Sequence, residues 1–256
     1  MAESFFLPLD EGRWRATVHT TGPWDERFQH GGPPSALLGR AIENVAPRED
    51  VMVARVTVEI LGPIPVGDLD LRAAVVRPGR SVELVEAVLS ADGRDVARAS
   101  AWRVLRTAAN PIPSRHEPAP PLPEESVDLE HDWVDGYLSA IEWRFARGHF
   151  MERGPAAAWS RLRVPLVPDE PPSPLQRVLA VADSGNGISS ELNMKKWHFI
   201  NPELTVHLHR EPVGEWICLD ASTSISTSGV GLATSVLSDL DGPVGVGAQI
   251  LLVARR

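Results

Sequence analysis

Two short segments of the sequence combine residue types that could do chemistry. In the first, His30 is followed by Gly31 and Gly32 just before an apolar helical stretch. Glycines at a helix start allow close approach of the backbone, and the N–H groups there stabilise negative charge, which is the chemistry of an oxyanion hole. The alternative is a loop whose glycines serve only turn geometry, and the tripeptide alone favours that alternative.

The second segment centres on Asp183, which closes another apolar helical stretch and is followed by Gly185 and Gly187. A carboxylate at the end of an apolar face could be a general base with a perturbed pKa. It could equally be a helix cap or a turn residue. In isolation, the segment favours neither interpretation.

Other catalytic patterns are missing from the sequence, which has no GxSxG elbow, no Walker loop and no HExxH motif. His207 and His209 would point two imidazoles to one side of a strand. No third ligand can be placed beside them, so we expect ordinary strand histidines and no metal site. Cys218 is the single cysteine, which excludes an internal disulfide and a CxxC zinc site, and its apolar strand indicates a core residue rather than a nucleophile.

Composition and charge exclude several classes of protein. The 256 residues are 43% hydrophobic and 23% charged, as in an ordinary globular protein. The formal net charge of −9 at pH 7 has the wrong sign for a nucleic-acid-binding surface. No apolar run is long enough to predict a membrane-spanning helix, and the acidic start does not resemble a signal peptide. We therefore expect a cytoplasmic protein that neither binds nucleic acid nor inserts into a membrane.

The elements that must position these residues occur twice. Residues 107–132 contain six prolines and little apolar periodicity, which predicts a stiff surface linker. On each side, a Trp-containing strand is followed by a short apolar helix, at Pro33–Val45 and at Pro174–Asp183, and then by several alternating strands. We infer a tandem duplication with one unit at 1–106 and the other at 133–256.

A helix followed by a long antiparallel sheet, present twice, predicts an α+β architecture. The frame GP-x-P-x-GD, then Gly-Arg, then DG-x-x-x-A around one helix resembles the hotdog fold. Two copies in one chain resemble the double-hotdog acyl-CoA thioesterases. This resemblance implies that each sheet wraps around its own central helix. It also implies that the two units join edge to edge about a pseudo-twofold axis.

The two helical segments resemble a motif of phenylacetate-pathway hotdog thioesterases, HGG-x4-LAD-[ST]-x-x-G, which carries oxyanion donors and a catalytic aspartate. The first half, HGGPPSALLG, has Gly39 at the aspartate position, whereas the second half, PLQRVLAVADSGNG, keeps Asp183 but has Pro174–Gln176 in place of HGG. In single-domain relatives the donors and the aspartate come from opposing subunits. The resemblance therefore implies one composite site, with Gly31 and Gly32 facing Asp183, and a second site that has decayed.

The stretch NPELTVHLHREPVGEWICLDASTSISTSG resembles the acyl-CoA thioesterase II family, in which a Thr or Ser of such a strand and a Gln of the last strand are site residues. At these positions stand Thr223 and Gln249. With Asp183 they would hold a hydrolytic water, which requires neighbouring strands and the same helix-facing side. The alternatives are a solvent-facing strand Thr and an outward-pointing Gln, although a Gln in so apolar a run needs buried partners.

The resemblance thus implies an acyl-CoA thioesterase that needs no cofactor and forms a homodimer or higher homo-oligomer. Asp183 would act as general base or, through an anhydride, as nucleophile. One alternative is a hotdog enoyl-thioester hydratase. Those enzymes use an Asp/His dyad a few positions apart, and neither Asp183 nor His30 has such a neighbour in the sequence. The other is a non-catalytic acyl-CoA- or lipid-binding module, against which the retention of Asp183, Thr223 and Gln249 argues.

Overall fold

The computed structural model describes residues 4–10, 12–107, 116–127, 135–150 and 152–256. The first half contributes six strands and one long helix: β1 Phe6–Pro8, β2 Arg13–Ala16, α1 Gly32–Asn44, β3 Val51–Ile60, β4 Asp68–Arg77, β5 Val82–Ala91 and β6 Arg94–Leu105. The second half contributes seven strands and three helices: α2 Tyr137–Ala140, β7 Ile141–Arg147, β8 Ala156–Leu162, α3 Pro174–Ala182, α4 Gly185–Ile188, β9 Trp197–Ile200, β10 Glu203–Leu208, β11 Ile217–Ile225, β12 Val230–Asp239 and β13 Gly242–Arg255.

The two halves have the same strand order. Read from its outer edge, the first half runs β1-β2-β4-β5-β6-β3, and the second runs β7-β8-β11-β12-β13-β10 from the opposite edge. The short strand β9 is the addition in the second half, where it pairs with the C-terminal end of β13. Each long helix follows the second strand of its half. This is the double-hotdog α+β architecture that the sequence predicts.

The halves join where β3 and β10 pair antiparallel, so that all thirteen strands form one sheet. At the centre of this junction Thr57 lies opposite Thr205, and their hydroxyls are 3.1 Å apart. Strand pairing between the halves fixes their relative position, and with it the position of any site that they share.

Both long helices pack on the inner face of the sheet and against each other. The helix α1 contacts β3–β6, α3 contacts β8 and β10–β12, and the two helices cross in the middle of one continuous core. Each begins with proline in its first turn, where a missing N–H costs nothing. The Ser173 side chain caps α3 by accepting a hydrogen bond from the Gln176 N–H at 3.1 Å.

The described part of the Pro-rich segment, 116–127, has no helix or strand and no buried residue. It lies against β7 and β8: the Trp159 indole N–H donates to the Pro120 carbonyl at 3.0 Å, and the Val127 N–H donates to the Trp143 carbonyl at 2.8 Å. The rest of the predicted linker falls mainly outside the described residues. The Pro120 carbonyl of the described part thus satisfies the buried indole of Trp159.

Candidate functional site

Asp183 is buried and held by two side-chain amides, one just after β9 and one on β13. It follows the last residue of α3 and is only 4% exposed. Its Oδ1 accepts hydrogen bonds from Asn201 Nδ2 at 2.7 Å and from Gln249 Nε2 at 3.1 Å. Because both donors bind the same oxygen, the carboxylate has one fixed orientation and its Oδ2 points away from them.

The Gln249 amide is fully used within the protein. Its Nε2 also donates to the backbone carbonyl of Asp183 at 3.0 Å, and its Oε1 accepts from the Asn186 N–H at 3.1 Å. Gln249 is 2% exposed on the helix-facing side of β13, so the outward alternative is wrong. With these bonds made, Gln249 orients Asp183 and the start of α4, and has no N–H left to bind a water.

The other oxygen of Asp183 faces the start of α1, in the opposite half. A Cβ on Gly31 would lie 2.6 Å from Asp183 Oδ2, and a Cβ on Gly32 would collide with the carbonyl oxygen of Ala180. Neither glycine has a positive φ, so turn geometry does not require them. They are required because the carboxylate and the α3 backbone pass too close to α1 for any side chain.

His30 accepts a hydrogen bond from one of the two N–H groups at the start of α1, those of Gly31 and Gly32. Its Nδ1 accepts from the Gly32 N–H at 3.0 Å and lies 3.4 Å from Asp183 Oδ2. Burial lowers the pKa of His30, although the nearby Asp183 acts in the opposite direction. The imidazole is therefore neutral at pH 7, with its proton on Nε2. The Gly31 N–H has no hydrogen-bond partner among the described residues.

Tyr137, the only tyrosine of the chain, fixes the position of His30. The two rings stack with centroids 3.8 Å apart and an interplanar angle of 5°. The Tyr137 hydroxyl lies 2.9 Å from the Ala180 carbonyl, to which it donates, and 2.8 Å from Ser184 Oγ. Burial raises the pKa of Tyr137 far above its usual value, so the phenol stays protonated. No sequence pattern pointed to Tyr137 or to Asn201.

Thr223 lies on the same face of the sheet as Gln249, but their strands are not neighbours. The expectation that these two residues lie on neighbouring strands is therefore wrong. The strand β12 separates them: Thr223 pairs with Ala233, which pairs with Gln249. Thr223 is 9% exposed, so it is not the solvent-facing residue of the alternative interpretation. Its Oγ1 contacts Ser189 Oγ at 2.7 Å, and Ser189 donates to the Gly185 carbonyl at 2.8 Å. The structure brings Asp183, Gln249 and Gly31 together. Thr223 instead contacts Ser189, the residue that follows α4.

Comparisons with known proteins show the family to which this fold belongs. Residues 20–104 match a model of the acyl-CoA thioesterase N-terminal domain, and residues 113–253 match the acyl-CoA thioesterase C-terminal domain. The chain belongs to the acyl-CoA thioesterase family. No curated protein sequence matches the chain.

Solved structures show the same fold over almost the whole chain. A protein from Novosphingobium aromaticivorans, provisionally named a thioesterase, is 22% identical with a TM-score of 0.73, covering 98% of this chain and 99% of its own. A hotdog-fold protein from Alicyclobacillus acidocaldarius is 16% identical with a TM-score of 0.74, covering 99% and 97%. Acyl-CoA thioesterase II of Mycobacterium marinum is 15% identical with a TM-score of 0.64, covering 98% and 94%.

This acyl-CoA thioesterase family member has a different set of side chains at the other end of its helix pair. There Gly39 lies where α1 crosses α3. The crossing is so close that a Cβ on Gly39 would be 2.5 Å from Leu179 Cδ1. One turn later, the Glu43 carboxylate accepts from Ser173 Oγ at 2.8 Å and from Gln176 Nε2 at 2.9 Å. Burial raises the pKa of Glu43 despite these bonds. No glycine pair opens α3 to this carboxylate.

The remaining candidate residues from the sequence lie outside this site. His207 and His209 are exposed, and His209 stacks on His116 with centroids 5.1 Å apart. Cys218 is buried, and burial raises the pKa of its thiol to about 12, as expected of a core residue. Within the described ranges there is no group of three or more His, Cys, Asp or Glu that could hold a metal ion. Nor is any described helix long and apolar enough to cross a membrane.

Proposed function

We propose that the chain hydrolyses acyl-CoA to a free carboxylic acid and CoA at a single site between Asp183 and the start of α1. The observation that carries this proposal is the contact of Asp183 Oδ2 with Gly31, across the two halves of the molecule. It puts a carboxylate oxygen beside an N–H that has no partner among the described residues. A base and an oxyanion donor at one place are what thioester hydrolysis needs.

In the proposed reaction a water molecule lies on Asp183 Oδ2 and attacks the thioester carbonyl carbon. Asp183 accepts the proton of the water as the new C–O bond forms. The Gly31 N–H and the positive end of the α1 dipole stabilise the oxyanion. The tetrahedral intermediate then breaks the C–S bond, and the CoA thiolate leaves with the proton from Asp183.

Asn201 and Gln249 act as positioning residues in this proposal. Both donate to Asp183 Oδ1, which leaves Oδ2 as the reacting oxygen. Thr223 holds α4 through Ser189 rather than holding the water itself, since its hydroxyl contacts Ser189 Oγ at 2.7 Å. We expect Thr223→Val to reduce turnover less than Gln249→Ala does.

Asp183 could also attack the carbonyl carbon itself and form an anhydride. A single turnover in oxygen-18 water detects an anhydride that water opens at the Asp183 carboxyl carbon. General-base catalysis places the label only in the released acid. Attack of water on an anhydride at the Asp183 carboxyl carbon would place label in the protein.

A second candidate, hydration of an enoyl thioester, is favoured by one observation. His30 Nδ1 lies 3.4 Å from Asp183 Oδ2, so an Asp/His pair exists in space although it is far apart in the sequence. Against it, that nitrogen is the acceptor for the Gly32 N–H and is not free to handle a substrate proton. A binding module without activity remains the third alternative.

Free-thiol release from a panel of acyl-CoAs, run beside a short 2-enoyl-CoA, separates the three. Our proposal predicts thiol release from at least one saturated acyl-CoA. Loss of the enoyl absorbance without thiol release would indicate a hydratase. Binding of acyl-CoA without either reaction would indicate a binding module.

We also propose that the chain self-associates through the outer face of β12 and β13. Four cross-strand pairs there carry no charge: Val230 with Leu252, Leu232 with Ile250, Thr234 with Ala248, and Val236 with Val246. All six large apolar side chains among them are 45% or more exposed. A continuous apolar face is unusual on a monomer, and an uncharged one fits a second copy of itself.

The unit boundaries at 1–106 and 133–256, with 107–132 as linker, are part of the same proposal, and the shared strand order supports them. So is a cytoplasmic location, which a single buried cysteine favours.

A further inference from the structure

The chain has only two lysines, and they are adjacent. Of its 25 basic residues, all but Lys195 and Lys196 are arginines. These two precede β9, and the pairing of β9 with β13 puts the C-terminal arginines beside them: Arg255 lies opposite Trp197, and the Arg256 N–H donates to the Lys196 carbonyl. Four exposed cations therefore lie together on a protein whose net charge is −9.

Two tryptophans are interleaved with these cations. The Arg255 guanidinium lies 5.1 Å from the Trp197 ring centroid, and the Arg256 guanidinium lies 5.3 Å from that of Trp24. Trp24 is 37% exposed, and its other neighbours are the rings of His198 and Phe199. We name Lys195, Lys196, Arg255, Arg256, Trp24 and Trp197 the cationic patch.

The four cations of the patch outnumber the unpaired carboxylates near it in the sequence, so the patch is positive. None of its four cations forms an ion pair with a described residue. Asp25, next to Trp24 in the sequence, is paired with Arg27 at 2.6 Å. Glu26 and Glu191 are exposed and have no ion pair with the described part of the chain. Unpaired cations around the exposed indole of Trp24 and the half-buried indole of Trp197 fit an anionic ligand that also has an aromatic base.

Both segments that carry the patch continue directly into the site. Trp24 belongs to the loop that ends at Gly31, and β9 runs from Trp197 to the residue before Asn201, the donor to Asp183. The four-residue step from Trp197 to Asn201 spans about 13 Å along the strand. The pantetheine arm of CoA, from sulfur to first phosphate, is about as long as four residues of extended chain, about 14 Å.

From this placement we infer that the cationic patch binds the nucleotide end of CoA, with Lys195, Lys196, Arg255 and Arg256 on its phosphates and the exposed face of Trp24 against its adenine. This inference rests on the proposed function, because it takes Asp183 as the place of the thioester. It adds the part of the substrate that the enzyme would recognise at a distance from the reacting carbonyl.

The test compares two thioesters of the same acyl group, one on CoA and one on N-acetylcysteamine, which lacks the nucleotide. For Lys195→Ala/Lys196→Ala we expect KM for acyl-CoA to rise about tenfold or more with kcat unchanged, since the loss of even one charged contact to a phosphate removes about that factor. The kcat/KM for the short thioester should stay as in the wild type. Inhibition by adenosine 3′,5′-bisphosphate should weaken in parallel.

The control is Arg77→Ala/Arg80→Ala, which removes two exposed arginines at the turn between β4 and β5, outside the cationic patch. Arg77 lies over Trp102 at 5.6 Å, so the control also removes an Arg–Trp contact. The control should leave KM and kcat unchanged for both thioesters. An unchanged KM for acyl-CoA in the lysine variant, or equal losses on both thioesters, would overturn the inference. A wild type inactive on both thioesters would instead overturn the proposed function.

Discussion

At the scale of single residues, the site depends on one carboxylate held from three sides. Asn201 and Gln249 fix Oδ1 of Asp183, while Gly31 leaves room for Oδ2. The identity of Gly31 and Asp183 as facing residues could be inferred from the sequence, because each half keeps one part of a motif and has lost the other. Asn201 could not, since an asparagine after a short strand is common and has no partner along the chain.

Replacing Gly31 with alanine tests the contact at this carboxylate. The new methyl group would meet Asp183 Oδ2, so the carboxylate must move by a substantial fraction of an ångström. We expect kcat/KM to fall about 100-fold, the size of effect that a misplaced catalytic group produces.

The matched control is Gly187→Ala, where a Cβ would meet no atom within 4 Å. It should leave both activity and thermal stability near those of the wild type. Equal activity in the two variants would mean that the Gly31 contact is irrelevant to turnover.

His30 should give the protein a specific pH dependence of stability. Its pKa is lowered in the folded state, so the unfolded state takes up the proton first as the pH falls below about 6.5, the ordinary value for histidine. The free energy of unfolding should therefore decrease from pH 7 towards pH 5.5, by at most about 1.4 kcal/mol per pH unit from this group.

Urea denaturation of the wild type and of His30→Asn at both pH values isolates this contribution from that of the other histidines. Asparagine can keep an acceptor for the Gly32 N–H but does not titrate. The variant should lose less stability on acidification, and an identical loss would remove His30 from this account.

At the scale of elements, α1 and α3 position the site because they pass unusually close to each other. The sequence predicts both within one residue at each end, because an apolar stripe and prolines in the first turn mark them. The strands β7 and β9 are not evident from the sequence, since neither shows a clear alternation of apolar and polar residues. The placement of Thr223 fails for a topological reason: consecutive hairpins put β12 between its strand and that of Gln249.

Two glycines of α1 should differ in what they tolerate. In Gly32→Ala the new Cβ would collide with the backbone of Ala180, which cannot move without shifting α3. In Gly39→Ala it would meet the end of the Leu179 side chain, which can rotate. We expect Gly32→Ala to cost about 3 kcal/mol or more of the free energy of unfolding, and Gly39→Ala about 1 kcal/mol, after its gain in helix propensity. Thermal or urea denaturation measures both, and the reverse order would contradict the helix crossing described here.

At the scale of the whole molecule, one sheet carries both halves, and we propose a single composite site between them. Its outer face at β12 and β13 is apolar, and we expect it to be covered by a second copy. Leu232→Glu should shift the wild-type oligomer toward monomer in sedimentation experiments, because it would bury two unpaired carboxylates in a twofold contact. Val76→Glu, at a comparably exposed position in the first half, should not. A wild type that sediments as a monomer at high concentration would refute the proposed contact.

The duplication leaves a carboxylate at each end of the helix pair, and the account requires that only one of them is catalytic. The decisive measurement is kcat for the best acyl-CoA substrate in Asp183→Asn and in Glu43→Gln, with unfolding curves to show that both variants are folded. Asn keeps the shape of Asp183 but cannot accept the proton of the water, so kcat should fall about 1,000-fold or more. Glu43→Gln should keep wild-type kcat within a factor of about 3, because its carboxylate only ties the end of α1 to the start of α3 and the loss of one partly buried ion costs stability rather than turnover. A folded Asp183→Asn variant with wild-type turnover would contradict the account.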